Sequence, residues 1–239
     1  GASARSLLYR DPDARVRSYV DRYLMSDVSL DSVDRDSPHA EAPVARVHLT
    51  PDGVLESFPL PPSEGRLRRR FVAWSSARSP AGAADAPARV AALQRSLERR
   101  GAASAASAVT EATAFAIRRF VAPQLRHGRI FAIGDTAHEV SPIGGQGMNL
   151  GLLDAATLAP LLAQWMRTGT APDQALDSWQ RARVRSARRA ARIAALNTGL
   201  GRPYGSASGR FRRLALGSAL NLAGATIARA YAMGFDASA

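Results

Sequence analysis

Cysteine and lysine are both absent from this chain of 239 residues. Without cysteine the protein can form neither a disulfide bond nor a zinc or iron–sulfur site with thiolate ligands. All 32 basic residues are arginines, and with 20 acidic residues they give a formal net charge of +12. Because an alanine-rich composition with arginine as its only cation is typical of GC-rich genomes, the charge is weak support for a nucleic-acid partner. No helix-turn-helix or zinc pattern accompanies it, so we expect no nucleic-acid partner.

Long apolar segments are missing too. No run of about 20 apolar residues could span a bilayer, and the first residues lack the charged-then-apolar build of a secretory signal, so we expect a cytoplasmic protein. The segment 214–231 is too interrupted to span a membrane; a core-packing helix and a peripheral membrane contact both remain open for it. With 46% hydrophobic and 22% charged residues, the composition indicates a globular protein of one large or two small domains.

Apolar periodicity predicts a strand-rich first half. The sequence Thr50-Pro51-Asp52-Gly53 separates two alternating runs and predicts a hairpin turn. We predict strands over Tyr23–Met25, Val44–Leu49, Val54–Leu60, Arg70–Trp74 and Ala114–Phe120, with a helix over Ala88–Arg100 and polar loops over Asp31–Pro43 and Ser75–Pro87.

The second half has helical spacing after one short apolar run. Ile130–Ile133 is predicted to be a buried strand, and helices are predicted from about Gly147 to Arg167 and from Pro172 to Leu196. An arginine cluster on the last of these helices is predicted to be a solvated face rather than a phosphate-binding surface: Arg181, Arg183, Arg185, Arg188, Arg189 and Arg192.

The residues between 128 and 155 form the most specific segment of the chain. A strand is followed by Gly134-Asp135, by a loop that contains Gly144, Gly145 and Gly147, and by the start of a helix. A carboxylate at the end of a strand can accept hydrogen bonds from sugar-type hydroxyls, and glycines allow a flat or anionic ligand to approach the backbone. The helix start offers unpaired N–H groups and the positive end of a dipole.

This segment resembles the second flavin-binding motif of the group A flavoprotein monooxygenases, the para-hydroxybenzoate hydroxylase family. The family pattern runs Gly-Asp-Ala-Ala-His, Pro, Gly-Gln-Gly, Asn, Gly, Asp-Ala, and only Thr136 departs from it. Phe58-Pro59-Leu60 and Arg70–Trp74 are similar to strands of the family's substrate-domain sheet, and Leu176–Trp179 is similar to one of its helices. The resemblance therefore extends to both sides of the motif.

The resemblance implies an α/β fold, with a substrate-binding sheet, part of a Rossmann-like FAD/NAD(P)-binding domain and carboxyl-terminal helices. We expect residues 1–20 to end an FAD-binding part, 21–120 to form the substrate domain, 121–170 to carry the Gly-Asp motif and 171–239 to form the last helices. The implied reaction inserts one atom of molecular oxygen into an aromatic, polyketide or quinone-precursor substrate, with FAD as cofactor and NAD(P)H as co-substrate.

The resemblance also implies a set of cofactor-binding residues. Asp135 is expected to bond the ribityl chain of FAD, Pro142 to lie beside the reactive edge of the isoalloxazine, and the glycine loop to supply backbone donors to the pyrimidine ring. The full set is Gly134, Asp135, Pro142, Gly144, Gly145, Gln146, Gly147, Met148 and Asn149.

Roles for other side chains stay open. Tyr23, Phe58, Phe71 and Trp74 could pack within the sheet or line a substrate pocket, because only one face of a sheet can look into a pocket. The histidines His39, His48, His127 and His138 do not cluster with acids in the sequence, so we expect no metal site. We assign no catalytic acid or base.

One part of the family pattern has no counterpart. The residues Ala4–Arg10 resemble the end of the family's Asp-Gly motif, but no strand with G-x-G-x-x-G for the ADP half of FAD occurs. We therefore expect a missing upstream half of the FAD domain, without which FAD would bind weakly or not at all. A flavin-dependent reductase or halogenase of the same superfamily, or a non-catalytic binding remnant, remains an alternative.

Overall fold

Alternating polar and apolar side chains give the first half of the protein an antiparallel sheet. The computed structural model describes residues 1–11, 15–30, 44–76, 85–142 and 146–205. After a short 3-10 helix (Ala2–Leu7), the elements of this half are β1 (Arg17–Leu30), β2 (Arg46–Thr50), β3 (Gly53–Ser63), β4 (Arg66–Ser76), α1 (Ala86–Glu98), α2 (Ala103–Ser107) and β5 (Thr113–Val121). Each strand and the helix predicted here is confirmed, and β1 is much longer than predicted.

The second half is mainly helical. Its elements are β6 (Arg126–His127), β7 (Ile130–Phe131), a 3-10 turn (Gly134–Thr136), β8 (His138–Glu139), α3 (Gln146–Thr168) and α4 (Asp173–Leu200). Both predicted helices are confirmed, and so is the mixed α/β class. None of the helices in these described ranges is long and apolar enough to cross a membrane. The predicted segment 214–231 lies outside the described residues.

The chain divides into two compact units. The sheet unit contains the described residues from 19 to 116 and from 200 to 205, and the helix unit contains those of 1–18 and 117–199. In the sheet unit the strands follow the order β2-β3-β4-β1-β5. In the helix unit the end of β5 pairs antiparallel with β8, where Phe120 lies opposite Glu139.

The hairpin between β2 and β3 forms at the predicted turn, with Thr50 paired to Gly53. Gly53 has φ +98°, a conformation that favours glycine. A Cβ at this position would lie 3.1 Å from the Cβ of Trp74 and 3.2 Å from the carbonyl oxygen of Gly201. The turn therefore requires glycine both for its backbone angle and for the space available.

Helices α1 and α2 cover one face of the sheet, which we term the helix face. Asp85 caps α1 by accepting a hydrogen bond from the Ala88 backbone at 3.1 Å. The core between the helices and the sheet includes Leu24, Val28, Leu55, Phe71, Leu93, Leu97, Ala105 and Ala106. Burial of this apolar surface is the main stabilising contribution in the sheet unit.

In the helix unit, α4 packs against α3 and the loop before β6. The Trp179 indole donates to the Thr157 hydroxyl at 3.0 Å. The side-chain oxygen of Gln180 accepts from the backbone N–H groups of Leu125 and Arg126, both at 2.8 Å. The surrounding core includes Tyr9, Phe120, Leu125, Ala137, Leu158, Leu176 and Trp179.

The prediction of a buried strand over Ile130–Ile133 is wrong in length and in burial. Only Ile130 and Phe131 pair, with the two residues of β6, and Ile130 is 58% exposed. In a two-residue ribbon only one side faces the core, and Ile130 lies on the other side. The buried residue of this segment is Ala132, which follows the ribbon.

The arginine cluster on α4 is a solvated face at five of its six positions. Arg181, Arg185, Arg188, Arg189 and Arg192 are exposed, as predicted. Arg183 is an exception, since it is 3% exposed and lies on the side of α4 that packs into the helix unit.

Candidate functional site

The Gly-Asp turn presents one carboxylate to solvent. Gly134 starts the 3-10 turn with φ +60°, and Asp135 follows it with an exposed side chain. No hydrogen bond or ion pair engages the Asp135 carboxylate within the described ranges. Its acceptor capacity is therefore available to hydroxyl groups of a ligand.

Arg5 holds the backbone of this turn. Its guanidinium donates to the carbonyl oxygens of Asp135 at 2.5 Å and of Thr136 at 3.3 Å. It also pairs with Glu139 at 3.0 Å and lies 4.1 Å from the centre of the Phe120 ring. Since Arg5 is only 3% exposed, these bonds form in a poorly solvated environment that strengthens them.

A buried pair holds the turn from the other side. Asp154 of α3 accepts a hydrogen bond from the Gly134 backbone at 3.1 Å and contacts His138 Nε2 at 2.6 Å. His138 is 0% and Asp154 1% exposed. A Cβ at Gly151 would lie 3.1 Å from the Cα of Gly134, so α3 approaches the turn as closely as a glycine allows. Asp135 therefore projects from a backbone that is held on both sides.

The structure describes part of the segment that is predicted to contact the flavin ring, from Pro142 to Asn149. Pro142 and Met148 are exposed, Gly147 and Asn149 are half-buried, and Gln146 is buried. Residues 146–149 begin the 23-residue helix α3, whose first N–H groups lack intrahelical acceptors. Gly144 and Gly145 lie outside the described residues.

Together these groups fit the flavin half of FAD. An exposed carboxylate without a partner can accept from ribityl hydroxyls, and the N–H groups at the start of α3 can donate to the oxygens of the pyrimidine ring. Both groups belong to the helix unit. In the described part of the chain, no three His, Asp or Glu side chains come together as a metal site.

Sequence reasoning placed Asp154 in the motif but gave it no role, and gave Arg5 no contact with the motif. Each acts over a long sequence separation, 20 residues for Asp154 to Gly134 and 130 for Arg5 to Asp135. No local periodicity reports such contacts. Charged side chains are rarely buried unless they are paired, so the burial of Arg5 and Asp154 marks both as structurally important. The sequence does not show that burial.

The structure separates the four aromatics whose role, sheet packing or substrate pocket, the sequence left open. Tyr23 lies opposite Trp74 in the β1–β4 register, and Phe58 lies opposite Arg70 in the β3–β4 register. By alternation these residues share the sheet face opposite to the helix face, which we term the second face. For Phe71 the structure favours the packing role over the weak assignment to a substrate pocket: it points to the helix face, is 0% exposed and packs against α1 and α2. It is a core residue because odd positions near it on β4 turn towards the helices.

The second face carries buried polar groups beside the apolar Val72. The Asp21 carboxylate accepts from Trp74 Nε1 at 2.9 Å and from Arg202 Nη2 at 2.8 Å. Burial by itself raises the pKa of Asp21, but the hydrogen bonds from Arg202 and Trp74 outweigh it and lower that pKa below its usual range. Glu56, also on this face, has no such partners among the described residues, and burial raises its pKa to about 7.

Comparison with known proteins indicates the same cofactor, FAD. Residues 17–194 match the profile of a family described as FAD binding domain. Over 164 residues the chain is 34% identical to 6-methylpretetramide 4-monooxygenase of Streptomyces rimosus, a match that covers 68% of this chain and 27% of the relative. The chain thus spans about a quarter of the length of this curated relative.

Two solved structures share the fold. The 2,6-dihydroxypyridine-3-hydroxylase of Arthrobacter nicotinovorans matches with a TM-score of 0.63 at 16% identity, over 85% of this chain and 56% of that one. A Diels–Alderase from pyrroindomycin biosynthesis matches with a TM-score of 0.65 at 23% identity, over 90% of this chain and 45% of that one. At these identities the likeness concerns the fold alone.

Proposed function

Since this chain belongs to the FAD binding domain family, we propose that it supplies the flavin-binding turn and the ring-binding sheet of an FAD-dependent monooxygenase. The substrate is an aromatic or polyketide ring, and the reaction inserts one oxygen atom of O₂. One observation carries the proposal: Asp135 presents a carboxylate that no described residue engages, from a backbone that Arg5 and Asp154 hold in place.

In this proposal each group of the site has a defined role. Asp135 accepts hydrogen bonds from the ribityl hydroxyls, and the N–H groups at the start of α3 donate to the pyrimidine oxygens. Pro142, which is exposed, lies along the edge of the ring system. Bound flavin supplies the electrons that activate O₂, and NAD(P)H replenishes them. The protein's own contribution is to bind, orient and exclude water.

The substrate class follows from the sheet unit and from one relative. A relative that is 34% identical is named for its action on 6-methylpretetramide, which supports a ring substrate for this protein. The second face offers the half-buried Trp74 and Phe58 beside polar groups, a combination that suits a flat ring with polar substituents. We propose the cytoplasm as the location of the reaction.

The flavin site can be tested with Asp135→Asn. In protein expressed from its complete reading frame, we expect this variant to bind FAD about 10- to 100-fold more weakly, because a charged acceptor is worth about 1.5–3 kcal/mol. Flavin fluorescence titration measures the ratio of affinities. Asp177→Asn, at an exposed position of α4, is the matched control and should bind FAD as the wild type does. Equal affinities for Asp135→Asn and wild type would contradict the assignment.

The reaction can be tested with isotopic oxygen. Protein loaded with FAD, given NADPH and a phenolic ring under ¹⁸O₂, should form a product that carries one ¹⁸O atom. Saturation of a double bond, chlorination, or ring formation without NADPH consumption would each favour another reaction on this fold, since a fold does not determine chemistry.

A further inference from the structure

The residues 138–142 lead from β8 towards the start of α3, and two of their side chains are anchored in the helix unit. His138 contacts Asp154 of α3 at 2.6 Å. Val140 packs in a core cluster with apolar side chains of both long helices, namely Leu150, Ala190, Ala191 and Ala194. The segment is therefore attached to α3 and to α4 before it reaches the exposed Pro142.

A third anchor ties Ser141 to the last turns of α4, 57 residues further along the chain. Its hydroxyl oxygen lies 2.8 Å from that of Thr198, and the Thr198 hydroxyl lies 2.8 Å from the carbonyl oxygen of Ala194. Because a hydroxyl has one hydrogen and a carbonyl oxygen can only accept, Thr198 donates to Ala194 and accepts from Ser141. Thr198 is 0% and Ser141 1% exposed, and the low local dielectric strengthens both bonds.

The helix alone does not explain a threonine at position 198. A threonine hydroxyl that bonds the carbonyl one turn earlier slightly destabilises a helix, and alanine would be the better helix former. The hydrogen bond to Ser141 gives the buried hydroxyl a role outside α4.

The position of Ser141 is passed on to Pro142 with little freedom between them. The ring of a proline fixes its φ near −65°, and the residue before a proline is restricted to extended conformations. A displacement of Ser141 would consequently move Pro142 with it.

We propose that Thr198 is a positioning residue of the flavin site, which holds Ser141 and thereby fixes Pro142 against the edge of the bound ring system. The proposal rests on the proposed function, which places Pro142 along that edge. Since Thr198 is 0% exposed, it acts through Ser141 rather than by contact with the cofactor.

The test replaces the Thr198 hydroxyl by a methyl group. Carbon and oxygen approach to about 3.3 Å, so in Thr198→Val the Ser141 hydroxyl must retreat by about 0.5 Å from its present 2.8 Å. Hydrogen exchange with mass spectrometry, on protein expressed from its complete reading frame and without cofactor, follows the amides of residues 138–141. We expect exchange about fivefold faster than in the wild type, the factor that corresponds to one hydrogen bond. Thr198→Ser keeps the hydroxyl and should exchange as the wild type does.

Thr157→Val is the matched control. The Thr157 hydroxyl also bonds a carbonyl one turn earlier, that of Leu153 at 2.6 Å, and accepts from Trp179 at 3.0 Å. Its loss should leave exchange at residues 138–141 unchanged. In Ser141→Ala the hydroxyl that the methyl group displaces is gone, so Thr198→Val should add nothing in this background.

Visible circular dichroism of bound FAD, which depends on the surroundings of the ring, gives the second measurement. We expect a smaller amplitude per bound flavin in Thr198→Val, and the wild-type amplitude in Thr198→Ser and Thr157→Val. The inference is overturned if Thr198→Val exchanges or absorbs like the wild type, if Thr157→Val has the same effects, or if the effects of Thr198→Val and Ser141→Ala add. Wild-type protein that binds no FAD would contradict the proposed function instead, and the exchange rates, measured without cofactor, would still decide whether Thr198 holds the segment.

Discussion

At the scale of single residues, Asp154 links three parts of the helix unit. One of its oxygen atoms accepts from the Gly134 backbone and contacts His138, so helix α3, the Gly-Asp turn and β8 meet at a single carboxylate. The Asp154 carboxylate and the His138 ring are both buried, where an unmade bond cannot be replaced by hydration, and the Gly134 backbone is half-buried. Asp154 is therefore a positioning residue for Asp135 rather than a ligand-binding one.

Removal of this carboxylate should destabilise the protein strongly. Asp154→Ala leaves the buried His138 and the half-buried Gly134 N–H without their acceptor, and we expect the free energy of unfolding to fall by about 3–5 kcal/mol. Asp154→Asn keeps one acceptor oxygen and should lose less. Urea denaturation followed by circular dichroism measures both. A loss below about 1 kcal/mol for Asp154→Ala would show that the pair does not hold the turn.

Glu56 should make stability depend on pH. Burial raises its pKa from 4.5 to about 7, so the folded state binds the proton more tightly than the unfolded state does. The stabilisation is complete below pH 4.5 and is lost as the pH rises through 7, a decrease of about 3 kcal/mol in the free energy of unfolding.

Urea denaturation at about pH 5 and pH 8 checks this dependence. Glu56→Gln cannot ionise, so its decrease between the two pH values should be smaller than that of the wild type by about the same 3 kcal/mol. The exposed Glu98→Gln should follow the wild type. Parallel curves for wild type and Glu56→Gln would contradict the raised pKa.

At the scale of elements, α3 and the Gly-Asp turn approach each other at Gly151. Carbon atoms attract best at about 3.5–4.0 Å, and an added Cβ would lie 3.1 Å from Gly134. Glycine inside a helix normally lowers stability relative to alanine. At Gly151 the lower helix propensity of glycine is offset by the close approach of α3 to Gly134, which brings the start of the helix near Asp135.

Gly151→Ala should therefore destabilise the protein although it improves helix propensity. We expect a loss of about 1–2 kcal/mol in the free energy of unfolding, because the backbone of the turn must move to admit the methyl group. In Gly199→Ala the added Cβ meets nothing within 4 Å, so this variant of α4 should gain up to about 1 kcal/mol. Stabilisation by both substitutions, measured by urea denaturation, would show that the contact at Gly151 is loose.

The same scale explains what could be predicted from the sequence. The β2–β3 hairpin and helices α3 and α4 follow from local patterns, namely Pro-Asp-Gly between alternating runs and apolar spacing along each helix. Phe71 could not be assigned to a face, because strand alternation gives two equivalent sides until the covering helices are known. Arg5 and Asp154 were out of reach for a different reason, since their contacts with the turn depend on the folded path of the chain.

At the scale of the whole molecule, the excess of positive charge opposes folding. A net charge of +12 brings like charges together when the chain compacts, and the exposed arginines of α4 are the densest part of it. Ion pairs at the surface, such as Arg126 with Asp173, offset only a small part of this repulsion.

Salt should consequently stabilise this protein. Raising NaCl from about 10 mM to about 100 mM shortens the screening length from about 30 Å to about 10 Å, and we expect the Tm to rise by a few degrees. Scanning fluorimetry measures the change. The double variant Arg185→Glu, Arg188→Glu should show a smaller rise. A Tm that falls with salt would mean that favourable ion pairs outweigh repulsion.

The hydrogen bonds from Arg5 to the Gly-Asp turn also determine when the turn can fold during synthesis. Arg5 leaves the ribosome long before its acceptor at Asp135, which is 130 residues further along. The nascent chain therefore cannot complete the turn by local folding, and contacts of such high sequence separation form slowly. Cofactor binding is then a late step. Deletion of a few residues around Arg5 would impair cofactor binding even though the flavin motif itself remained intact.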